Sequence, residues 1–438
     1  MSSTEINLPH TVAIEPATRG LKGRLQVPGD KSISHRGLLF GALAEGETEV
    51  LDILISEDVQ STQKCLQALG VQVLHEKNRT VVQGLGRRGL KAPSVDLDCG
   101  NSGTTMRLMM GVLAGHKFSS PMFGDASLSG RPMKRVAEPL ALMGARFELT
   151  KNNYAPLTVH GADLKGIDYE LKVASAQIKS AVLLAGLLAE GTTTVRGEIH
   201  SRDHSERMLK YFGADLEVAG DEVRVVGGAT LKGQSVKVPG DPSTAAFWLA
   251  AGSMVPGSEI ILDNVGLNPS RTGLMDVLLR MGAAIEVEQT AFVPEPVGRL
   301  KVKSAALKAT NISPEEVPRL IDELPLFALL ATQAHGVSVV RGAEELRIKE
   351  TDRIDAVAKN LRAMGIEIET THDGFIIEGP QTLKAAKVDS FHDHRIAMVF
   401  AIAGLLTSEG KKTTVEKAHA AAVSYPQFYK TLSELQGQ

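Results

Sequence analysis

LLAGLLAEGTTTV, residues 183–195, is an apolar run of small and branched residues, then a glycine, then a β-branched stretch. The run suits the end of a helix, Gly191 suits its stop, and the threonines and valine suit a strand. The same grammar recurs at residues 39–50 (LFGALAEGETEV), 249–261, 329–340 and 401–415, around Gly46, Gly257, Gly336 and Gly410. LMMGVLAGHKFSS at 108–120, with Gly115, is a weaker sixth copy. The copies fall at intervals of roughly 70 residues, the mark of a repeated supersecondary unit.

Five further segments interleave with these: LGVQV at Gly70, MGARFEL at Gly144, FGADLEV at Gly213, MGAAIEV at Gly282 and MGIEIET at Gly365. Each reads as a helix stopped by a left-handed glycine and followed by an alternating strand. The unit is therefore β-α-β-α-β-β, and the chain holds about six. VPGDKS at 27–32 returns as VPGDPS at 238–243, so the halves match as well. The expected fold is α/β, with two similar domains of three units each. The first 22 residues precede the first match and are expected to pair with the second globe. That makes residues 1–22 with 239–438 one domain and 23–238 the other.

The chain has 438 residues, more than one ordinary domain, and its 43% apolar content is ample for packed cores. A net charge of −3 gives no reason to expect nucleic acid or an anionic membrane as partner. Any anion site must be built locally from clustered cations. Cys65 and Cys99 are too few for a disulfide framework or a thiolate metal site, and reduced thiols in a cytoplasmic protein are expected. The amino terminus lacks a basic segment followed by an apolar core, so no secretory signal is expected. Apolar runs such as 181–189 fall far short of the ~20 residues of a membrane span. A monomer is expected.

Several segments carry chemistry. Pro28-Gly29-Asp30-Lys31-Ser32-Ile33-Ser34-His35-Arg36 runs straight into an apolar helix. Ser32 or Ser34 can cap that helix, while Lys31 and Arg36 add positive charge at its start, making an anion cradle. It is not a nucleotide-binding P-loop, because Leu25 stands where the first glycine belongs. Gly100-Asn101-Ser102-Gly103-Thr104-Thr105 is a small-residue loop opening a helix, and Ser129-Gly130-Arg131-Pro132-Met133 offers one arginine at a turn. Ser175-Ala176-Gln177-Ile178-Lys179 and Ser201-Arg202-Asp203-His204-Ser205 each place donors at a helix start, where simple capping is the plainer explanation.

In the second half, Asp322-Glu323-Leu324-Pro325 sits among apolar residues, where a carboxylate is costly unless employed. Arg347-Ile348-Lys349-Glu350-Thr351-Asp352-Arg353 could be a solvated charge run, but its place at a helix start after the strand GVSVVRG, with cations strung around one glutamate, argues otherwise. His392-Asp393-His394-Arg395 heads an apolar helix. Its HDH triplet suggests metal, but no further ligand cluster accompanies it, so no metal is expected.

PGDKSISHR, GNSGTT, SLSGRPM, SAQIK, SRDHSE, DPSTAAF, IDELP, RIKETDR and DHRIAM appear in that order across nearly the whole chain. Together they resemble the 5-enolpyruvylshikimate-3-phosphate synthase family. SAQIK and SRDHS are similar to the second of its two sequence types, the one that includes glyphosate-tolerant bacterial enzymes. Two departures stand out. Asn268-Pro269-Ser270-Arg271 has serine for the usual threonine, and Val423-Ser424-Tyr425-Pro426 lacks a lysine that the first type carries there.

The resemblance implies a two-domain inside-out α/β barrel with substrates bound between the domains. It implies shikimate 3-phosphate at Lys31, Ser32, Arg36, Ser175, Ala176, Gln177, Ser201, Arg202, Asp322 and Lys349. It implies phosphoenolpyruvate at Lys31, Gly103, Arg131, Gln177, Arg353 and Arg395. The enolpyruvyl group would pass to the sugar 5-hydroxyl by addition and elimination, on the way to chorismate and the aromatic amino acids. Asp322, Glu350 and Lys31 would be the catalytic residues, with no metal or redox cofactor. The sister transferase acting on UDP-N-acetylglucosamine is disfavoured, since Cys99 precedes the loop that would hold a reactive cysteine. A non-catalytic anion-binding relative is disfavoured by intact Asp322, Glu350 and Lys31, and an RNA-modifying cyclase by the acidic balance.

Overall fold

The computed structural model describes residues 9–77, 79–408 and 410–437. It divides into two compact units: one takes in the chain up to Pro28 and from Gly240 onwards, the other is Gly29–Pro239. We call them unit 1 and unit 2.

Each unit is built around three helices that are buried on every side. In unit 2 these are α1 (Lys31–Leu43), α2 (Gly103–Ala114) and α3 (Ala176–Leu188). In unit 1 they are α4 (Pro242–Met254), α5 (Leu324–Gln333) and α6 (His394–Leu405). Their apolar residues run right round the helix instead of along one stripe, and such a helix is stable only in an interior. Every residue from Ile178 to Leu188 is buried. Where α2 meets α3, a methyl on Gly111 would lie 2.3 Å from the Ala181 carbonyl oxygen. Only a bare backbone permits that approach.

Six sheets surround these helices among the described residues, three in each unit. In the second repeat of unit 2, Leu97–Asp98 pairs in parallel with Ser119–Phe123. Ser119–Phe123 is antiparallel to Tyr154–His160, which is antiparallel to Arg146–Thr150. With α2 and helix Lys134–Leu142 as the connections, this is the expected β-α-β-α-β-β unit. Asp168–Leu171, Thr192–Gly197, Glu222–Val226 and Leu216–Ala219 repeat the order.

Three sheets are completed by strands distant in sequence. Ser235–Lys237 lies parallel to Glu45–Leu51 and closes unit 2. Thr11–Ile14 pairs with Thr413–Glu416, and Lys22–Gln26 pairs along its length with Glu259–Asp263. The amino-terminal segment is thus built into unit 1. The expected boundary at 22/23 is corrected by that last pairing, which carries the strand into unit 1 and moves the boundary to Pro28/Gly29. The second boundary lies at Pro239/Gly240 instead of 238/239.

The two related loops do the same work in their own units. Asp30 N–H donates to the Pro239 carbonyl at 2.8 Å, and Asp241 N–H donates to the Pro28 carbonyl at 2.9 Å. The glycine signature holds with one exception. Gly70, Gly144, Gly213, Gly282 and Gly365 all have φ between +84° and +120°. Gly115, in the weak sixth copy, has φ −92° and needs no left-handed freedom. It is required for space, since a methyl there would lie 2.6 Å from Leu188 Cβ.

Candidate active site

The repeated unit brings helix starts together, and the charged motifs stand at those starts. In unit 2, Asp30 caps α1 by accepting the Ile33 N–H at 2.9 Å. This corrects the expectation that Ser32 or Ser34 caps it: the Ser34 hydroxyl instead donates to the Asp30 carbonyl and accepts from Leu54 N–H. Lys31 opens the helix with Nζ 2.9 Å from Asp58 Oδ2, its side chain 22% exposed. Arg36 points inward. Its Nε donates to Ser205 at 2.7 Å, Nη2 to Ser180 at 2.8 Å and Nη1 to the Ser32 carbonyl at 3.0 Å.

Ser102 caps α2, so Gly103 begins that helix. Arg131 Nη2 donates to Asn101 Oδ1 at 2.9 Å, which holds the guanidinium against the loop. Arg107 Nη1 donates to Gln177 Oε1 at 2.5 Å, and Gln177 Nε2 donates to Thr104 Oγ1 at 3.0 Å. A methyl on Gly103 would lie 3.0 Å from Arg107 Nη1 and 3.5 Å from Arg131 Nη1. Gly103, Arg131 and Gln177 are therefore brought to one place. Arg107 joins them, and the sequence reading missed it. Its signal was present, because it stands one helical turn after Gly103.

Ser175 caps α3 and Ala176 begins it. The Ser201 hydroxyl donates to the Ile199 carbonyl at 3.4 Å, and Arg202 follows, half-buried, just before helix His204–Tyr211. His35, inside α1, is neutral: burial pulls its pKa down to about 3. Its Nδ1 lies 2.7 Å from Thr62 Oγ1, which lies 2.7 Å from Thr105 Oγ1. This dry polar relay ties α1 to α2.

Unit 1 gathers the remaining residues around Arg353, which is 1% exposed. Arg353 Nη1 lies 3.1 Å from Asp322 Oδ1, Nη2 lies 2.7 Å from Glu350 Oε2, and Nε lies 2.8 Å from Asp393 Oδ2. Burial works against this charge, but the carboxylates of Asp393, Glu350 and Asp322 overcome it and hold the pKa above the ordinary arginine value. Asp322 is also 3.6 Å from Lys349 Nζ and 3.6 Å from Arg395 Nη2. Arg395 Nη1 meets Glu323 Oε1 at 3.3 Å. Asp322 and Glu350 retain 14% and 24% side-chain exposure, whereas Asp393 retains none. Two carboxylates are reachable and one is an anchor.

Both readings of residues 347–353 hold in part. Lys349, Glu350 and Arg353 join the cluster, while Arg347 turns to Asp352, Asp355 and the carbonyls of Thr371 and His372. The middle of the HDH triplet is engaged too, as Asp393 caps α6 and grips Arg353. At the departure from the family pattern, Asn268 Oδ1 accepts from both the Ser270 N–H and hydroxyl, at 2.9 and 2.7 Å. Serine keeps the group that closes this turn.

A family model described as EPSP synthase (3-phosphoshikimate 1-carboxyvinyltransferase) matches residues 16–432. The chain belongs to the EPSP synthase family. A 3-phosphoshikimate 1-carboxyvinyltransferase of Bacillus velezensis is 52% identical over 418 residues, 95% of this chain and 97% of that protein. One of Bacillus cereus is 49% identical over 424 residues, 96% and 98% of the two chains. A solved EPSP synthase of Acinetobacter baumannii is 42% identical with a TM-score of 0.87, covering 97% of this chain and 98% of its own. An enolpyruvyl transferase of Streptomyces tendae, at 17% identity and a TM-score of 0.77 over 97% of each chain, shares the fold. EPSP synthase membership thus agrees with the two-domain α/β architecture expected from the repeats.

Proposed function

We propose that this chain transfers the enolpyruvyl group of phosphoenolpyruvate to the 5-hydroxyl of shikimate 3-phosphate, releasing phosphate. The observation that carries the mechanism is the pair of reachable carboxylates, Asp322 and Glu350, on one buried guanidinium. Addition needs a proton delivered to the phosphoenolpyruvate methylene and one removed from the attacking hydroxyl; elimination then removes a proton from the new methyl as phosphate leaves. Two positioned carboxylates can perform these transfers. Asp322 serves the 5-hydroxyl, Glu350 serves the methylene carbon, and Lys31 stabilises charge that develops at the reacting centre.

Membership in the family supports the remaining assignments. Shikimate 3-phosphate takes Lys31, Ser32, Arg36, Ser175, Ala176, Gln177, Ser201, Arg202, Asp322 and Lys349. Phosphoenolpyruvate takes Lys31, Gly103, Arg131, Gln177, Arg353 and Arg395, to which the contact with Gln177 adds Arg107. The motifs SAQIK and SRDHS support the second sequence type. A cytoplasmic monomer acting on small molecules completes the proposal, and no helix of the described residues is long and apolar enough to cross a membrane.

Phosphate release with each substrate omitted in turn tests the reading. Phosphate should appear only with both substrates present and should be indifferent to EDTA. Release from phosphoenolpyruvate alone, or activity with UDP-N-acetylglucosamine in place of shikimate 3-phosphate, would overturn it.

A further inference from the structure

Lys179 and Glu206 form an ion pair that none of the roles above uses. Nζ lies 2.6 Å from Oε1, and the side chains are only 2% and 5% exposed. Lys179 Nζ also donates to the Ile199 carbonyl at 2.8 Å. Glu206 Oε2 is buried with no hydrogen-bond partner. Burying two charges carries a desolvation penalty of several kcal/mol per ion, so neutral side chains of similar volume would hold a core at least as well. Stability alone does not account for this pair.

Its place in the chain does. Lys179 stands in the first turn of α3, one turn after Ser175 and on the same short segment as Gln177. Glu206 stands in the first turn of helix His204–Tyr211, one turn after Arg202, and Ile199 precedes Ser201 by two residues. The pair therefore ties the segment 175–177 to the segment 199–202. Beside it the Ser180 and Ser205 hydroxyls are 2.7 Å apart, and Arg36 donates to both. Hydroxyl contacts tolerate small slides, whereas a short ion pair away from water loses energy steeply as its charges separate.

We infer that Lys179 and Glu206 are positioning residues for shikimate 3-phosphate: they set the spacing of the two donor segments without touching the ligand. This rests on the proposed assignment of those segments to shikimate 3-phosphate.

Steady-state kinetics on three proteins tests it: the parent, the neutral double variant Lys179→Met/Glu206→Gln, and Glu206→Asp. In the double variant the KM for shikimate 3-phosphate should rise about tenfold and kcat stay within about twofold, while the KM for phosphoenolpyruvate, which shares only Gln177 with these segments, rises by less. A purely structural role would behave otherwise, since partial unfolding lowers kcat with the active fraction and leaves KM alone. Glu206→Asp keeps the charge and shortens its reach, so the same KM should rise by about threefold. It decides the matter alone should the double variant fail to fold. An unmoved KM for shikimate 3-phosphate in a folded variant would overturn the positioning role while the parent remains active. A parent without shikimate 3-phosphate-dependent turnover would instead reject the underlying assignment, and the inference with it.

Discussion

The two units hold the arginines of the candidate site in different ways, although unit 2 also pairs Lys31 with Asp58. In unit 2, Arg36, Arg107 and Arg131 donate to serine hydroxyls, side-chain amides and backbone carbonyls. In unit 1, Arg353, Arg395 and Lys349 rest on the carboxylates of Asp322, Glu323, Glu350 and Asp393. Neutral acceptors orient a guanidinium by directed hydrogen bonds. A guanidinium among carboxylates instead fixes those carboxylates in place by charge-assisted hydrogen bonds. Under the proposed function, this difference would give anion capture chiefly to unit 2 and proton transfer chiefly to unit 1.

The sharpest way to break this division is to neutralise the reachable carboxylates. Asp322→Asn and Glu350→Gln should each lower turnover by roughly 10²–10⁴-fold, measured by phosphate release at saturating substrates. Near-normal turnover in both would remove unit 1 from the proton transfers.

Stability gives a second contrast. Asp393→Ala leaves Arg353 buried beside a lost anchor and should cost about 3–5 kcal/mol in denaturant unfolding. Ser205→Ala removes one hydroxyl from Arg36 and should cost about 1.5–3 kcal/mol. Equal costs would show that the carboxylate anchoring of unit 1 has no special weight.

Gly103→Ala probes the proposed phosphoenolpyruvate site of unit 2. The added methyl would lie 3.0 Å from Arg107 Nη1, the atom that donates to Gln177. The cost should be about 1–3 kcal/mol against a ligand that fills the site. Glyphosate, a longer mimic of phosphoenolpyruvate, should feel more of it than the substrate does. Its inhibition constant should rise by more than the KM for phosphoenolpyruvate, and equal changes would place Gly103 elsewhere.

The buried His35 of unit 2 gives an effect spread over pH, small at each step. His35 has its pKa lowered by burial to about 3 from an ordinary 6.5. The unfolded chain therefore takes up a proton that the folded chain refuses as pH falls between those values. Stability from this group is complete above 6.5 and is lost down to about 3. His35→Gln should flatten the fall of unfolding free energy in that window by up to about 1.4 kcal/mol per pH unit. An unchanged slope would mean that His35 is not held neutral.

The repeat was legible because each unit needs the same stops. Gly70, Gly144, Gly213, Gly282 and Gly365 all adopt the left-handed conformation that their place before a strand implied. The succession of helices and strands in each repeat followed from that grammar. The boundary near residue 22 was not legible, because Lys22–Gln26 is a short, largely exposed strand that only its pairing with Glu259–Asp263 identifies. Nor was the cap of α1, where three residues with suitable side chains stand close together and Asp30 wins. At the site, charged residues in short motifs could be named in advance. Which of them face one another could not, since Arg353 meets Asp322 and Asp393 from distant helix starts. Arg107 went unnoticed, and Lys179 stood in SAQIK without a role, for a related reason: each looks like an ordinary cation near a helix start until its partner, Gln177 or Glu206, is seen.

The division between capture and chemistry is tested most directly by titrating shikimate 3-phosphate calorimetrically into Glu350→Gln and assaying turnover on the same preparation. The account predicts a dissociation constant within a few-fold of the parent's, while turnover falls by at least about a hundredfold. A loss of binding that matches the loss of turnover would contradict it, for Glu350 would then be holding the substrate instead of moving a proton.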